Sequence, residues 1–396
     1  MGIRRQLPAY SPIPASATLA ATAQVFGFGD DPRPRFRDLL QREFGSHTVL
    51  LCGSGTEALT LAIREAGDRA GSSAPVALPA FSCFDIATAA IGAGVRVSFY
   101  DLDPDTLSPD RESLERVLRA GSRVVVVAPL YGVPVDWDAL TALAGSHGAI
   151  LIEDAAQGSG ASWRDRRLGS MGATATLSFG RGKGWTGGRG GALLMNNHHY
   201  AREAKLASPG LFHEAGAALV LVAQRALGRP AVYGIPFSIP AFQLGETVYR
   251  SPQPERSLSR AAAAALLATH QASESEAKVR KANAKELLAA IADNRQLVAI
   301  SVDREATPGY LRLPLRVNRG LAAFKSESRA RTLGIAPSYP LSLADLPQLA
   351  ARRDGPERAW PGARILVREL VTLPTHSRLR PEELKELAEM LGALRG

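Results

Sequence analysis

Between about residues 48 and 197 the chain alternates short apolar runs with stretches of helical periodicity, and few architectures accept that pattern. HTVLLC (47–52), PVALPAF (75–81), RVSFYDLD (96–103), RVVVVAPLYG (123–132), AILIEDAAQ (149–157), ATATLSF (173–179) and GALLMNN (191–197) read as strands. Helical patterns lie between the first five: TEALTLAIREAG (56–67), FDIATAAIGAG (84–94), RESLERVLRAG (111–121) and DWDALTALAGSHG (136–148). Strands apolar on both faces need cover on both sides, and helices of about three turns supply it, so the pattern predicts an α/β chain with a mostly parallel sheet. In such sheets ligands sit at the carboxyl ends of the strands. Past residue 255 the pattern changes to a long Ala- and Lys-rich helix (258–292), then YLRLPLRV (310–317), a helical SESRARTLG (326–334), RILVRELVTLP (364–374) and a last helix from Pro381. This part reads as a smaller α+β domain.

Charge and cysteine content remove several classes of function. The net charge of +9 comes from arginines dispersed along the chain, which suits an anionic substrate. No basic stripe with interleaved aromatics marks a nucleic-acid path. Cys52 and Cys83 are the only cysteines, so neither a disulfide framework nor metal-ligand spacing is present, and no metal is expected. The start, MGIRRQLPAYSPIP, lacks an apolar core behind its basic residues, and a cytoplasmic location is expected. The apolar stretch Ala215 to Gly245 is interrupted by Arg225, Arg229, Pro230, Pro236 and Pro240, too often for a membrane span.

Three strand ends carry the chemistry. GSGTE (53–57) joins a strand to a helix, where converging amides and the helix dipole favour a phosphate; a plain turn capped by Ser54 explains it equally well. Asp154 closes AILIED, and a carboxylate there calls for a cation such as a protonated pyridine nitrogen, or for nearby backbone amides. Gln157, three residues on, can reach the same ligand. Of seven lysines, only Lys183 sits in a glycine-rich loop between two apolar strands, LSFGRGKGWTGGRGG (177–191). A lysine withdrawn from water beside cations such as Arg181 and Arg189 offers a nucleophilic amine. Ser178 ends the strand before it and can donate to a phosphate. A phosphate-loop lysine is the competing reading, but its companion motif is missing.

These elements occur in an order that resembles the DegT/DnrJ/EryC1/StrS family of pyridoxal-phosphate-dependent sugar aminotransferases. GSGTEALTLAI, LPAFSCFDIATAA, FYDLDPDTLSPD, IEDAAQGSGA with RRLGSMGATATLSF and the lysine after it, LGIAPSYPLSL and LPTHSRLRPEEL all resemble family elements. The similarity runs from about residue 37 to the C-terminus. It implies fold type I: a large, mostly parallel seven-stranded sheet domain with helices on both faces (37–254), preceded by an arm (1–36) and followed by a small α+β domain (255–396). It implies pyridoxal 5'-phosphate held covalently by Lys183, with Asp154 on the ring nitrogen and Gln157 near the ring oxygen. Gly55, Thr56, Glu57 and Ser178 would take the phosphate, the first three mainly through backbone amides. Relatives that dehydrate sugars have histidine in place of this lysine, so Lys183 keeps the transaminating option.

The implied reaction moves an amino group from glutamate or glutamine to a keto group of an anionic sugar nucleotide or related intermediate, in a homodimer with interfacial active sites. Two alternatives stand beside it: another pyridoxal-phosphate reaction (dehydration, decarboxylation or bond formation), and a non-catalytic regulator or scaffold on the same fold. The chain departs from the family at several positions. Cys83 occupies the place of the ring-stacking aromatic, with Phe81 and Phe84 on either side, and Phe84 is the candidate to replace it. Glu255 and Ser257 stand where the family has the Asn and Arg that reach the partner's phosphate, with Arg256 between them. Gly184 follows the lysine where Asn is common, and Ser338 replaces His before Tyr339 and Pro340. The segment from about 205 to 250 is an insertion, expected to form an apolar lid or dimer-facing helical pair, with docking at a membrane surface as the second reading.

Overall fold

The computed structural model describes residues 4–71, 74–197, 206–237, 247–292, 294, 296–355 and 359–394. The chain opens with α1 (Ala15–Val25) and α2 (Arg33–Phe44), then enters the alternation with β1 (Thr48–Cys52), α3 (Gly55–Ala70), β2 (Val76–Pro79), α4 (Phe84–Ala93), β3 (Val97–Tyr100) and α5 (Arg111–Arg119). It continues through β4 (Val124–Val127), α6 (Trp137–Ser146), β5 (Ile150–Asp154), the short β6 (Ser162–Trp163) and β7 (Arg166–Arg167), β8 (Thr174–Ser178) and β9 (Gly191–Met195). Each of the seven apolar runs becomes a strand of one seven-stranded sheet, in the order β1-β9-β8-β5-β4-β2-β3. Only β9 runs antiparallel to its neighbours, β1 and β8; the pairs β2–β3, β2–β4, β4–β5 and β5–β8 are parallel. The carboxyl ends of β1, β2, β4, β5 and β8 therefore open on one edge.

The helices start where their caps dictate. Ser54 caps α3 by accepting from the Glu57 amide (3.1 Å), Asp110 caps α5 through Ser113, and Asp136 caps α6 through two amides. In the apolar β4 all four valines are buried. Glu153 of β5 is fully buried, and its carboxylate accepts from Gly169 N (2.7 Å) and Met171 N (2.9 Å), tying the turn before β8 to the sheet. Burial outweighs those amides and pushes its pKa up to about 7.

Beyond the sheet lie α7 (Leu211–Leu227), α8 (Pro230–Phe237) and the 31-residue α9 (Arg260–Ala290). The rest comprises β10 (Leu297–Ala299), β11 (Ala306–Thr307), β12 (Leu313–Val317), α10 (Glu327–Thr332), β13 (Ala336–Pro337), α11 (Pro361–Glu369), β14 (Leu370–Leu373) and α12 (Pro381–Gly392). RILVRELVTLP divides into the end of α11 and β14. A four-stranded antiparallel sheet, β10-β12-β14-β13, backs a second core of Leu287, Leu315, Phe324, Leu373 and Leu387. The first turns of α9 (Ala261 to Leu266) belong to the larger core and its last turns (Ala284, Leu287) to the smaller, so one helix braces both.

Phe36 of α2, fully buried, meets Phe179 and Trp185 edge-on at 5.4 and 5.5 Å and so clamps the loop after β8. Phe36→Ala is expected to lower stability by about 3–5 kcal/mol through the cavity it leaves, read as a shift of the urea unfolding midpoint.

Candidate active site

The five strand ends deliver one constellation. From β1, the sharp turn into α3 places Gly55 against Ser178 of β8: a Cβ at Gly55 would lie 2.5 Å from the Ser178 Cβ and 2.9 Å from its Oγ. No side chain fits there, which leaves the first amides of α3 and the Ser178 hydroxyl facing a common space. Thr56 is partly exposed at the second position. Glu57 turns back on its own cap: its amide donates to Ser54 Oγ and its carboxylate accepts from Arg256 N at 3.0 Å. Its pKa is raised, mainly by burial and against the pull of those amides. The Ser-x-x-Glu spacing is a helix-start signature and was available in the sequence.

Asp154 ends β5 opposite Thr176 of β8. Its Oδ1 accepts from Ala156 N (3.1 Å) and Thr176 Oγ1 (3.3 Å), two weak donors for a carboxylate at this depth. Burial raises its pKa, and the Lys183 ammonium is the largest influence pulling it back down. Asp85, near the start of α4, pushes it up again. Lys183 also acts on Cys83, so lysine, carboxylate and thiol share one small volume. Cys83 caps α4, with its Sγ 3.6 Å from Asp85 Oδ2; burial and Asp85 push the thiol up to about 12, so it stays neutral. Phe84 is the first residue of α4 and 6% exposed, packed into the main core behind Cys83.

Gln157 is held at both ends of its amide. Its Oε1 accepts from Tyr131 N (2.9 Å) and its Nε2 donates to the Tyr339 hydroxyl (2.9 Å). Tyr131, at the end of β4, adopts a left-handed φ of 57°, stacks on Tyr339 with ring centres 6.2 Å apart, and hydrogen-bonds Ser338. The tyrosine left no signal beyond its place at a strand end next to Gly132.

The loop carrying Lys183 is fixed from four directions. Gly184 N donates to Ser11 Oγ (3.0 Å) of the N-terminal arm, and Trp185 Nε1 donates to the Leu266 carbonyl (3.0 Å) of α9. Thr186 accepts from Thr269 (3.0 Å), and Gln224 of α7 donates to the Gly188 carbonyl (2.8 Å). Gly184 has φ +81°, and a Cβ there would strike Ser159 Oγ at 2.6 Å, so the Asn common in related chains does not fit this loop. Arg280, fully buried, donates to Ser159 O (2.7 Å) and Gly309 O (3.2 Å) beneath the same turn. Arg181 and Arg189 are exposed.

The segment expected to be an insertion contains the two helices α7 and α8; residues 198–205 and 238–246 lie outside the described part. Ala217, Ala218 and Leu221 of α7 are buried against the chain, while Leu211, Phe212, Leu219 and Val222 point outward. Arg256 hydrogen-bonds His213, and Glu255 pairs with Arg64 at 2.7 Å. No helix among the described residues is long and apolar enough to cross a membrane, and none of their His, Cys, Asp and Glu side chains form a metal-binding group.

With this geometry in hand, comparison with known proteins is decisive for the family. The description of the DegT/DnrJ/EryC1/StrS aminotransferase family matches residues 24–392. The chain belongs to that family. An L-glutamine:2-deoxy-scyllo-inosose aminotransferase from Streptomyces fradiae is 34% identical over 212 residues, covering 51% of this chain and 49% of that protein. A pleiotropic regulatory protein from Geobacillus stearothermophilus is 33% identical over 156 residues, 39% of this chain and 41% of that one. The chain thus spans about half the length of the curated relatives it matches, or less. Among solved structures, a sugar aminotransferase from Micromonospora echinospora superposes with a TM-score of 0.75 over 97% of this chain and 98% of its own, at 19% identity, which establishes the fold.

The family implies pyridoxal 5'-phosphate, and the residues present fit it: a turn too tight for any Cβ at Gly55, and a half-buried carboxylate with few donors in the field of a lysine. Gly55→Ala is expected to fold yet weaken the cofactor about 10- to 100-fold, the cost of overpacking this turn, measured by titrating the apoprotein with pyridoxal 5'-phosphate.

Proposed function

We propose that this chain is an aminotransferase that moves nitrogen from glutamine or glutamate to a keto group of a sugar, sugar nucleotide or cyclitol. The observation that carries the reading is the meeting of Lys183 and Asp154 beside the Gly55–Ser178 cradle. Bound pyridoxal 5'-phosphate supplies an aldehyde that carries nitrogen and a ring that withdraws electrons. The chain's own residues do the rest. The Lys183 amine takes up and returns a proton at the substrate carbon, and its tightly held loop keeps it in reach. Asp154 is the half-buried anion that would keep the ring nitrogen protonated, and a cation there would complete a carboxylate that accepts from only Ala156 N and Thr176 Oγ1. The first amides of α3, at Gly55 and Thr56, take the phosphate together with Ser178; the Glu57 amide is occupied by Ser54, and its carboxylate locks the turn. Gln157, steadied by Tyr131 and Tyr339, would meet a polar atom of the ring. Cys83, followed by the core-packed Phe84, would take the place of the aromatic that stacks on the ring in related chains.

Support for a keto-sugar or cyclitol acceptor and an amide donor comes from the Streptomyces relative and from the chain's net charge of +9. A homodimer with sites at the interface suits the outward apolar side chains on α1 and α7: Leu19 (71% exposed), Phe212 (93%) and Leu219 (70%). The reading places the enzyme in the cytoplasm with its substrates. The regulator named among the relatives favours a second reading, a non-catalytic role on the same fold.

One pair of measurements separates them. The wild-type holoenzyme is expected to lose its visible cofactor band when L-glutamine or L-glutamate is added, and Lys183→Ala to cut turnover by at least about 1,000-fold, the scale of a lost proton-transfer and covalent group. Retention of biological activity by Lys183→Ala would instead support the regulator.

A further inference from the structure

Arg312 is a half-buried cation with one unanswered edge. It lies on the short run that leads into β12, where Leu311 N donates to the Tyr131 carbonyl at 2.9 Å and Gly309 N to the Gly132 carbonyl at 2.8 Å. Its Nε and Nη2 are both shut off from solvent, and neither has a hydrogen-bond partner among the described residues. The groups whose fields reach it are phenols: Tyr131, Tyr339 and Tyr233 of α8. No carboxylate among the described residues answers it. A guanidinium does not give up its charge in a protein, and a buried charge left unpaired is strongly unfavourable. Nε and Nη2 form one edge of the guanidinium, two parallel N–H donors spaced for the two oxygens of a carboxylate or phosphate.

The place of this edge narrows the ligand. Tyr131 and Tyr339 stack on each other, both are bonded to Gln157, and both lie within the field of Cys83, which in turn feels Lys183. Arg312 thus adjoins, through the Leu311–Tyr131 bond, the Tyr131–Gln157–Tyr339 cluster, on a different element from the Gly55–Ser178 cradle. Tyr233 of α8, 4% exposed, is the third phenol whose field reaches the guanidinium.

We propose that Arg312 is a specificity residue that grips the carboxylate of the amino-acid donor through its Nε–Nη2 edge, walled by Tyr131, Tyr339 and Tyr233. This rests on the reading of the chain as an aminotransferase. The binding reaction is an exchange of water for a paired oxyanion and needs no further reactant.

The test uses the holoenzyme and Arg312→Gln, which keeps the size of the side chain and removes the charge. Calorimetric titration with L-glutamine and L-glutamate is expected to show about 100-fold weaker binding in the variant, the scale for losing one partner of a buried charge pair. Glutaminol, which lacks the carboxylate, is expected to bind both proteins equally. Without ligand, Arg312→Gln is expected to melt no lower than wild type, because no internal partner is lost; a purely structural arginine would lower the melting temperature. A second arm needs no turnover: glutarate is expected to raise the melting temperature of wild type and not of the variant. Equal binding of the amino acids by both proteins, stabilisation by inorganic phosphate but not glutarate, or no stabilisation of wild type by either anion would each overturn the proposal. Failure of the aminotransferase reading appears separately, as a cofactor band that amino acids leave unchanged while glutarate still stabilises wild type through Arg312.

Discussion

The arrangement depends on a carboxylate held where it is poorly solvated. Asp154 lies at the end of a central strand, bonded to one amide and one hydroxyl at 3.1 and 3.3 Å, with the Lys183 ammonium as its strongest cationic influence. A buried ionised group is tolerated only when something of opposite charge is near. The sheet order supplies it, because β5 and β8 are parallel neighbours and both release their next residues on the same edge. Had β8 run the other way, Ser178 and Lys183 would lie at the opposite end of the sheet from Asp154. The same parallel run, continued through antiparallel β9 to β1, brings Gly55 against Ser178.

Strand polarity alone does not aim a flexible lysine. The loop from Phe179 to Gly190 is glycine-rich, and isolated it would sample many conformations. Its definition comes from distant parts of the chain: Ser11 of the arm, Phe36 of α2, Gln224 of the inserted α7, and Leu266 and Thr269 of α9. The N-terminal stretch, α7 and the long α9 thus converge on one turn. The departures from the family around the site fit this frame. Gly184 carries a positive φ against Ser159, and Cys83 keeps a neutral thiol beside two carboxylates and a lysine.

What could be read in advance follows from how local the causes are. Seven apolar runs predicted seven strands, since a strand buried on both faces declares itself by composition, and Ser54 marked the start of α3. Lys183, Asp154 and the glycine turn stood out because each is a residue type out of place in its local setting. The split of residues 364–374 into helix and strand was not legible, because RILVREL suits either and tertiary pairing with β12 decides. Tyr131 and Arg312 were silent for a different reason. A tyrosine after a strand and an arginine before one are ordinary, and their meaning arises only when residues about 180 positions apart close around them.

The two buried charges make a common physical point. A chain selected for stability alone would not leave a guanidinium edge and a carboxylate so thinly bonded, since apolar replacements of similar volume are often neutral or stabilising. Here they carry opposite sign, Asp154 three residues before Gln157 and Arg312 next to Leu311, whose amide bonds the Tyr131 carbonyl. On the reading proposed above, Asp154 would answer a cationic ring nitrogen and Arg312 a carboxylate, two parts of one ligand. Each charge finds its counterpart only when that ligand is whole, so the energy withheld from the empty fold is recovered on binding. Discrimination follows from the same balance: a molecule lacking either charge leaves one buried group unanswered and is rejected by the full cost of that group.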